Sequence, residues 1–89
     1  MAQRRLLIQN VKGLHARASA RLVEVVEAHD AQATVSCDGQ SSSGDSIMGL
    51  LMLAAGLGSE IEVEPEGPEA DRLLEAIAAL VNDKFGEGY

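Results

Sequence analysis

What most restricts the fold of this chain is the sequence of periods along it. Period-2 and period-3.6 stretches follow one another in the order strand, helix, strand, strand, helix, strand, helix, and a two-residue turn signal joins the only adjacent strands. Arg4 to Gln9 reads as a short strand with Leu6 and Ile8 pointing one way. Ala16 to about Ala28 reads as a helix whose apolar stripe is Leu22, Val23 and Val26 with small Ser19. Ala31, Ala33, Val35 and Cys37 then alternate with polar residues, the pattern of a half-buried strand. Asp38-Gly39 predicts a tight hairpin, and the polar return strand Gln40 to Ser43 belongs at a sheet edge.

Ser46 is placed to cap a short helix from Ile47 to about Ala54, stopped by Gly56 and Gly58. Ile61 and Val63 alternate with Glu60, Glu62 and Glu64, giving a strand with one acidic face, which reads as a solvated sheet face before it reads as a metal site. Residues 65–68, Pro-Glu-Gly-Pro, read as a turn. The last helix is expected from about Glu69 to Phe85, with Leu73, Leu74, Ile77, Leu80 and Val81 on its core side, and Gly86 to Tyr89 is expected to fray. Strands with one apolar face and three amphipathic helices predict a two-layer α/β sandwich with a solvated outer sheet face. At 89 residues the chain has room for one domain, 1–89.

Charge and composition narrow the function. The net charge is −7 and the only aromatics are Phe85 and Tyr89. An acidic chain repels nucleic acid, and two aromatics make no base-stacking platform. No apolar run reaches the roughly 18–20 residues that span a bilayer. After Met1-Ala2-Gln3-Arg4-Arg5 only Leu6-Leu7-Ile8 follows, too short for a signal-peptide core. The single cysteine, Cys37, rules out an internal disulfide and a cysteine metal cluster, and suits a reducing cytoplasm. The charge is also uneven. Residues 1–21 hold five bases and no acid, for +5, while the remainder holds two bases against all 14 acids, for −12.

Inside that basic segment lies Gly13-Leu14-His15-Ala16-Arg17. A helix start offers unpaired N–H groups and a partial positive charge, together a phosphate site. Neutral imidazole is a nucleophile at cytoplasmic pH, because its reference pKa is about 6.5. His15 can therefore hold a phosphoryl group covalently. The amides of Ala16 and Arg17 would meet its oxygens, the Arg17 guanidinium would add charge-assisted bonds, and Gly13 would let the backbone turn tightly. A relay must also release its cargo, so moderate binding of the phosphoryl group suits the task. Taken alone, His15 reads first as an ordinary loop or cap residue and only second as a nucleophile, and Arg17 reads as a solvated surface charge.

The histidine motif and Ser46-Ile47-Met48-Gly49, at this separation in a chain of this length, resemble HPr, the histidine-containing phosphocarriers of the bacterial phosphoenolpyruvate-dependent phosphotransferase system. The resemblance covers the whole chain. It implies an α+β open-faced β-sandwich, with a four-stranded antiparallel sheet ordered 1-4-2-3 and three helices on one face. It implies a stoichiometric carrier, not an enzyme: enzyme I phosphorylates His15 on Nδ1, and a IIA protein or domain takes the group on. No cofactor or metal is implied, and a monomer is expected. Ser46 is by the same resemblance a regulatory site for HPr kinase/phosphorylase, beside its plain reading as a helix cap. The partner face would include Ala20, Ile47, Met48 and Leu51, with Met52 at its margin, although Met48 and Met52 at helical spacing read by default as core.

Some residues depart from the family or need no functional reading. Ala18 stands where the family usually has proline, so the first turn keeps a donor. Glu24 and Glu27 stand where enteric relatives carry lysine. His29 near a helix end and Cys37 in a strand are expected to be structural. The alternatives are a nitrogen-type regulatory phosphocarrier with the same chemistry, told apart by its IIA partner, and a small binding module with an inert His15, told apart by His15→Ala.

Overall fold

The computed structural model describes residues 3–89; Met1 and Ala2, which begin the basic N-terminal run, lie outside it. The elements are β1 (Arg4–Leu7), α1 (Ala16–Glu27), β2 (Gln32–Cys37), β3 (Gln40–Ser43), α2 (Ile47–Met52), β4 (Glu60–Glu66) and α3 (Ala70–Asn82), then a 3-10 turn over Lys84–Gly86. The strands form one antiparallel sheet in the expected order, β1-β4-β2-β3.

The period-2 pattern sets the register. Val35 pairs with Val63 and Leu6 with Ile61, all facing inward, while Thr34 pairs with Glu64 and Ser36 with Glu62 on the outer face. A slip of one residue would exchange the two faces, so burial of one of them fixes the pairing. At the edge, the Ser36 and Ser41 hydroxyls bond each other at 2.9 Å. Asp38 at φ 51° and Gly39 at φ 83° form the hairpin, the paired positive angles that a tight two-residue turn requires.

The three helices pack on the inward face. Ala18, Ser19, Leu22, Val23 and Val26 of α1 and Leu73, Leu74, Ile77, Ala78 and Val81 of α3 share one core with the strand residues. Small Ala18 and Ser19 are fully buried at the start of α1, and the Ser19 hydroxyl donates to the Leu14 carbonyl at 3.2 Å. Among the described residues no helix is long and apolar enough to cross a membrane.

Four boundaries differ from the sequence reading. β1 ends at Leu7, though Ile8 stays buried and its amide bonds the Ser59 carbonyl. α2 ends at Met52, two residues before Ala54, which takes a left-handed φ of 53°. Pro65 belongs to β4 and not to the following turn: it is buried opposite Ala33. The described β1 ladder stops at Arg4 opposite Val63, so Pro65 lies past it, where a missing donor is tolerated.

The largest difference is at the C-terminal end. α3 stops at Asn82, and Phe85 is fully buried outside it, with Lys84 and Phe85 at φ 54° and 55°. Left-handed residues other than glycine cost about 1–2 kcal/mol each, and complete burial of a phenylalanine returns about 1.5–3 kcal/mol. The segment expected to fray is instead held. Arg21 donates to the Phe85 carbonyl at 2.5 Å, and the Val11 amide donates to the Tyr89 carbonyl at 3.2 Å.

Candidate functional site

The loop before α1 is shaped by close backbone packing. Gly13 has φ 63°, and a Cβ there would lie 2.3 Å from the Ala55 carbonyl oxygen and 2.7 Å from Gly56 Cα. Only glycine fits this approach. It lets the Leu14 amide donate to the Ala55 carbonyl at 2.9 Å, which ties the loop before α1 to the loop after α2. Asn10, fully buried, fixes the other side: its amide donates to the Gly13 carbonyl at 2.8 Å.

His15 is the residue just before α1, in extended conformation, and its carbonyl accepts the Ser19 amide at 2.9 Å. The amides of Ala16, Arg17 and Ala18 thus precede the first intrahelical bond and face outward from the helix start. The imidazole does not cap its own helix. Its Nε2 is instead in hydrogen-bond contact with a Glu87 carboxylate oxygen, and Nδ1 makes no hydrogen bond among the described residues. The other Glu87 oxygen accepts from Asn10 Nδ2 at 3.0 Å. Burial opposes ionisation of Glu87. The hydrogen bonds from Asn10 and His15 and the charges of His15 and Lys12 outweigh it, and the carboxyl is held below its usual range.

The chain and its fold match known proteins. A family model described as the PTS HPr component phosphorylation site matches residues 2–83. The chain is 43% identical over 88 residues to phosphocarrier protein HPr of Cupriavidus necator, covering 99% of each chain. The chain belongs to the HPr phosphocarrier family. It is 41% identical over 85 residues to phosphocarrier protein NPr of Shewanella violacea, covering 96% of this chain and 93% of that one. The crystal structure of HPr-C-His from Thermoanaerobacter tengcongensis superposes with a TM-score of 0.92 at 31% identity, covering 98% of both chains. The HPr-like sheet order expected from the resemblance is therefore the family's fold, and the phosphotransferase system is the family's setting.

The remaining candidate residues fall into place around this frame. Arg17 is exposed on the first turn of α1 and forms no ion pair among the described residues, so its guanidinium is available to an incoming anion. Ala18 is buried with its side chain in the core, and α1 starts at Ala16 without the family's usual proline. Ser46 caps α2, its hydroxyl accepting the Gly49 amide at 3.1 Å. Gly49 has a packing reason, since a Cβ there would lie 2.1 Å from the Ser42 hydroxyl.

α1 and α2 pack against each other, and Ala20 of α1 and Leu51 of α2 are half-buried. Ile47, Met48 and Met52 are exposed, the two methionines at 70% and 74%, so the default reading of both as core does not hold. This six-residue helix buries only Leu50 fully and leaves Ile47, Met48 and Met52 exposed. Leu57 and Val11 are also exposed, and no periodic signal in their loops marked them. His29 accepts a structural role, its Nδ1 bonding the Val25 carbonyl at 2.7 Å, and Cys37 is buried. Sequence reasoning missed Asn10 and Glu87. A glutamate between two glycines in a short polar tail carries no local signal that it reaches back across 72 positions.

Proposed function

We propose that this chain, as a single domain and a monomer in the cytoplasm, carries a phosphoryl group on His15 Nδ1 from phosphorylated enzyme I to a IIA protein or domain. The observation that carries this reading is the arrangement at the start of α1. One imidazole nitrogen is engaged by Glu87, the other makes no hydrogen bond among the described residues, and the amides of Ala16 and Arg17 precede the first helical bond. A phosphoryl group on Nδ1 would meet those amides and the exposed Arg17 guanidinium. Its negative charge would lie in the basic segment of an otherwise acidic protein. Such a protein is a carrier consumed and regenerated stoichiometrically, with no turnover of its own.

Ala20, Ile47, Met48 and Leu51 are the contact surface we assign to these partners. Exposed, flexible methionines suit a surface that docks several proteins in turn. Exposed Glu24 and Glu27 alter the charge of α1 and bear on which enzyme I and IIA are matched. The comparable identity to an HPr and an NPr supports both branches of the family, sugar uptake and nitrogen-type regulation. Parallel transfer assays to a sugar-permease IIA domain and to a stand-alone regulatory IIA protein separate them. Ser46, half-exposed at the start of α2, is the site we assign to HPr kinase/phosphorylase. A phosphate there adds about −1.5 to −2 charge within the contact surface and opposes docking to an acidic face of enzyme I.

The test is incubation with phosphoenolpyruvate and enzyme I. Acid-labile, base-stable phosphate on His15 is expected, and none on His15→Ala. Label retained by His15→Ala would overturn the relay through this residue. Ser46→Asp is expected to slow transfer from enzyme I, and an unchanged rate would remove the regulatory assignment.

A further inference from the structure

We propose that Glu87 is a positioning residue for phosphoryl transfer: its carboxylate holds the proton of His15 on Nε2, presents the Nδ1 lone pair to the donor, and closes Nε2 to it. The inference rests on His15 being the phosphoryl acceptor.

A neutral imidazole carries one ring proton, on either nitrogen. An ionised carboxylate is an acceptor only, so the ring nitrogen that faces it must be the protonated one. In this protein that nitrogen is Nε2. The lone pair is then on Nδ1, the ring nitrogen that makes no hydrogen bond among the described residues.

The carboxylate is well placed for this because its own position does not depend on His15. Its side chain is 5% exposed, and its second oxygen accepts from Asn10. Asn10 Nδ2 spends its two protons on Gly13 and Glu87, both acceptors, which also settles the orientation of the amide. The backbone carrying Glu87 is anchored on both sides. Phe85 is fully buried and its carbonyl is held by Arg21, while the Tyr89 carbonyl accepts from Val11. Lys12 of the loop and Arg17 of α1 bring positive charge to the same region, and Glu87 supplies the acid in contact with the ring.

The transfer step balances without a proton leaving the ring. The Nδ1 lone pair attacks phosphorus and an N–P bond forms. The bond from phosphorus to the leaving atom of the donor breaks, and its electron pair stays with the donor. Nε2 keeps its proton, so the product ring is a phospho-imidazolium whose positive charge faces Glu87. When the group moves on, the N–P electron pair returns to Nδ1 and the ring leaves neutral. A fixed carboxylate favours the cationic form at the point where charge develops. Across Nε2 the same negative charge repels an incoming phosphoryl donor.

The experiment uses the full chain as wild type, Glu87→Ala and Glu87→Gln, labelled with 15N on histidine. Ring couplings report which nitrogen is protonated, and phosphoramidate, a small chemical donor, reports which nitrogen is phosphorylated without any protein partner. The wild type is expected to show Nε2–H and Nδ1-phosphate alone. Glu87→Ala is expected to show both tautomers and both phosphate isomers. In Glu87→Gln, which keeps the packing, transfer from phosphorylated enzyme I should slow about tenfold, the lower end of what loss of a histidine-orienting carboxylate costs. Wild-type tautomer and Nδ1-only labelling in Glu87→Ala would overturn the proposal, as would a wild-type ring that is not Nε2-protonated. A wild type that reacts with phosphoramidate but not with enzyme I would overturn the relay instead, leaving the two labelling results to decide the role of Glu87.

Discussion

Gly13 offers the sharpest quantitative test, because two separate costs meet at it and a natural control exists elsewhere in the chain. Replacing it by alanine puts a Cβ on a residue at φ 63°, a left-handed conformation that costs about 1–2 kcal/mol. The same Cβ falls 2.3 Å from the Ala55 carbonyl oxygen, so the two loops must part. That oxygen accepts the Leu14 amide at 2.9 Å, and Leu14 and Ala55 are both buried. Breaking a buried backbone bond of this kind costs a further 1–3 kcal/mol or so. The sum is about 2–5 kcal/mol for Gly13→Ala. Gly39→Ala is the control: its φ is 83°, but nothing lies within 4 Å of the added Cβ. It should cost only the conformational part, about 1–2 kcal/mol. Urea denaturation reads both. With a slope near 1 kcal/mol per molar for a chain this small, the midpoint of Gly13→Ala should fall below that of Gly39→Ala by about 1–3 M. Equal midpoints would refute the claim that close approach to residues 55–56 sets the geometry of the His15 loop. A functional readout follows the same logic, since His15 lies two residues on: transfer from enzyme I should suffer in Gly13→Ala and not in Gly39→Ala.

Three further outcomes follow from the structure. Phe85→Ala should destabilise the protein by about 3–5 kcal/mol, seen as a lower Tm, because a fully buried ring beyond the end of α3 is removed. Ser46→Ala, which removes the cap on the Gly49 amide, should cost about 0.5–2 kcal/mol in the same assay, separably from any effect on transfer. The Glu87 carboxyl is held below its ordinary value near 4.3, so the unfolded chain binds more protons in the window between the two values. Its contribution is complete above about pH 4.3 and is lost as pH falls through the lowered folded value. Urea midpoints of wild type and Glu87→Gln should therefore differ most at neutral pH and converge in acid; a gap that widens in acid would refute the assigned direction.

How much of this was legible in the sequence depends on whether the signal is local. The four strands, the Asp38-Gly39 turn and the Ser46 cap are each set by residues within a few positions, and the structure agrees with them. The strand order came from the resemblance, because pairing β4 between β1 and β2 is a long-range outcome that periodicity leaves open. Met48 and Met52 misled because helical spacing identifies one face of a helix but not whether anything covers it. His15 and Arg17 stand out in the sequence because their chemistry is concentrated in five residues, whereas the carboxylate that meets His15 was hidden in residues read as a frayed end.

That last miss has a physical cause. Glycines at 86 and 88 mark a chain that leaves helical geometry, and leaving a helix is compatible either with fraying or with a sharp reversal. Here both take positive φ, 76° and 79°: Gly86 extends the left-handed run begun at Lys84 and Phe85, and Gly88 follows Glu87, which is back in the right-handed region. What decides between the outcomes is the burial of Phe85, which local pattern assigned to the end of α3. Once that ring is in the core, the reversal it forces carries Glu87 to Asn10 and His15. The core contact and the site contact are thus one structural event. Loss of the first should release the second, so Phe85→Ala is expected to free the His15 ring from Glu87 even under conditions where the rest of the fold persists.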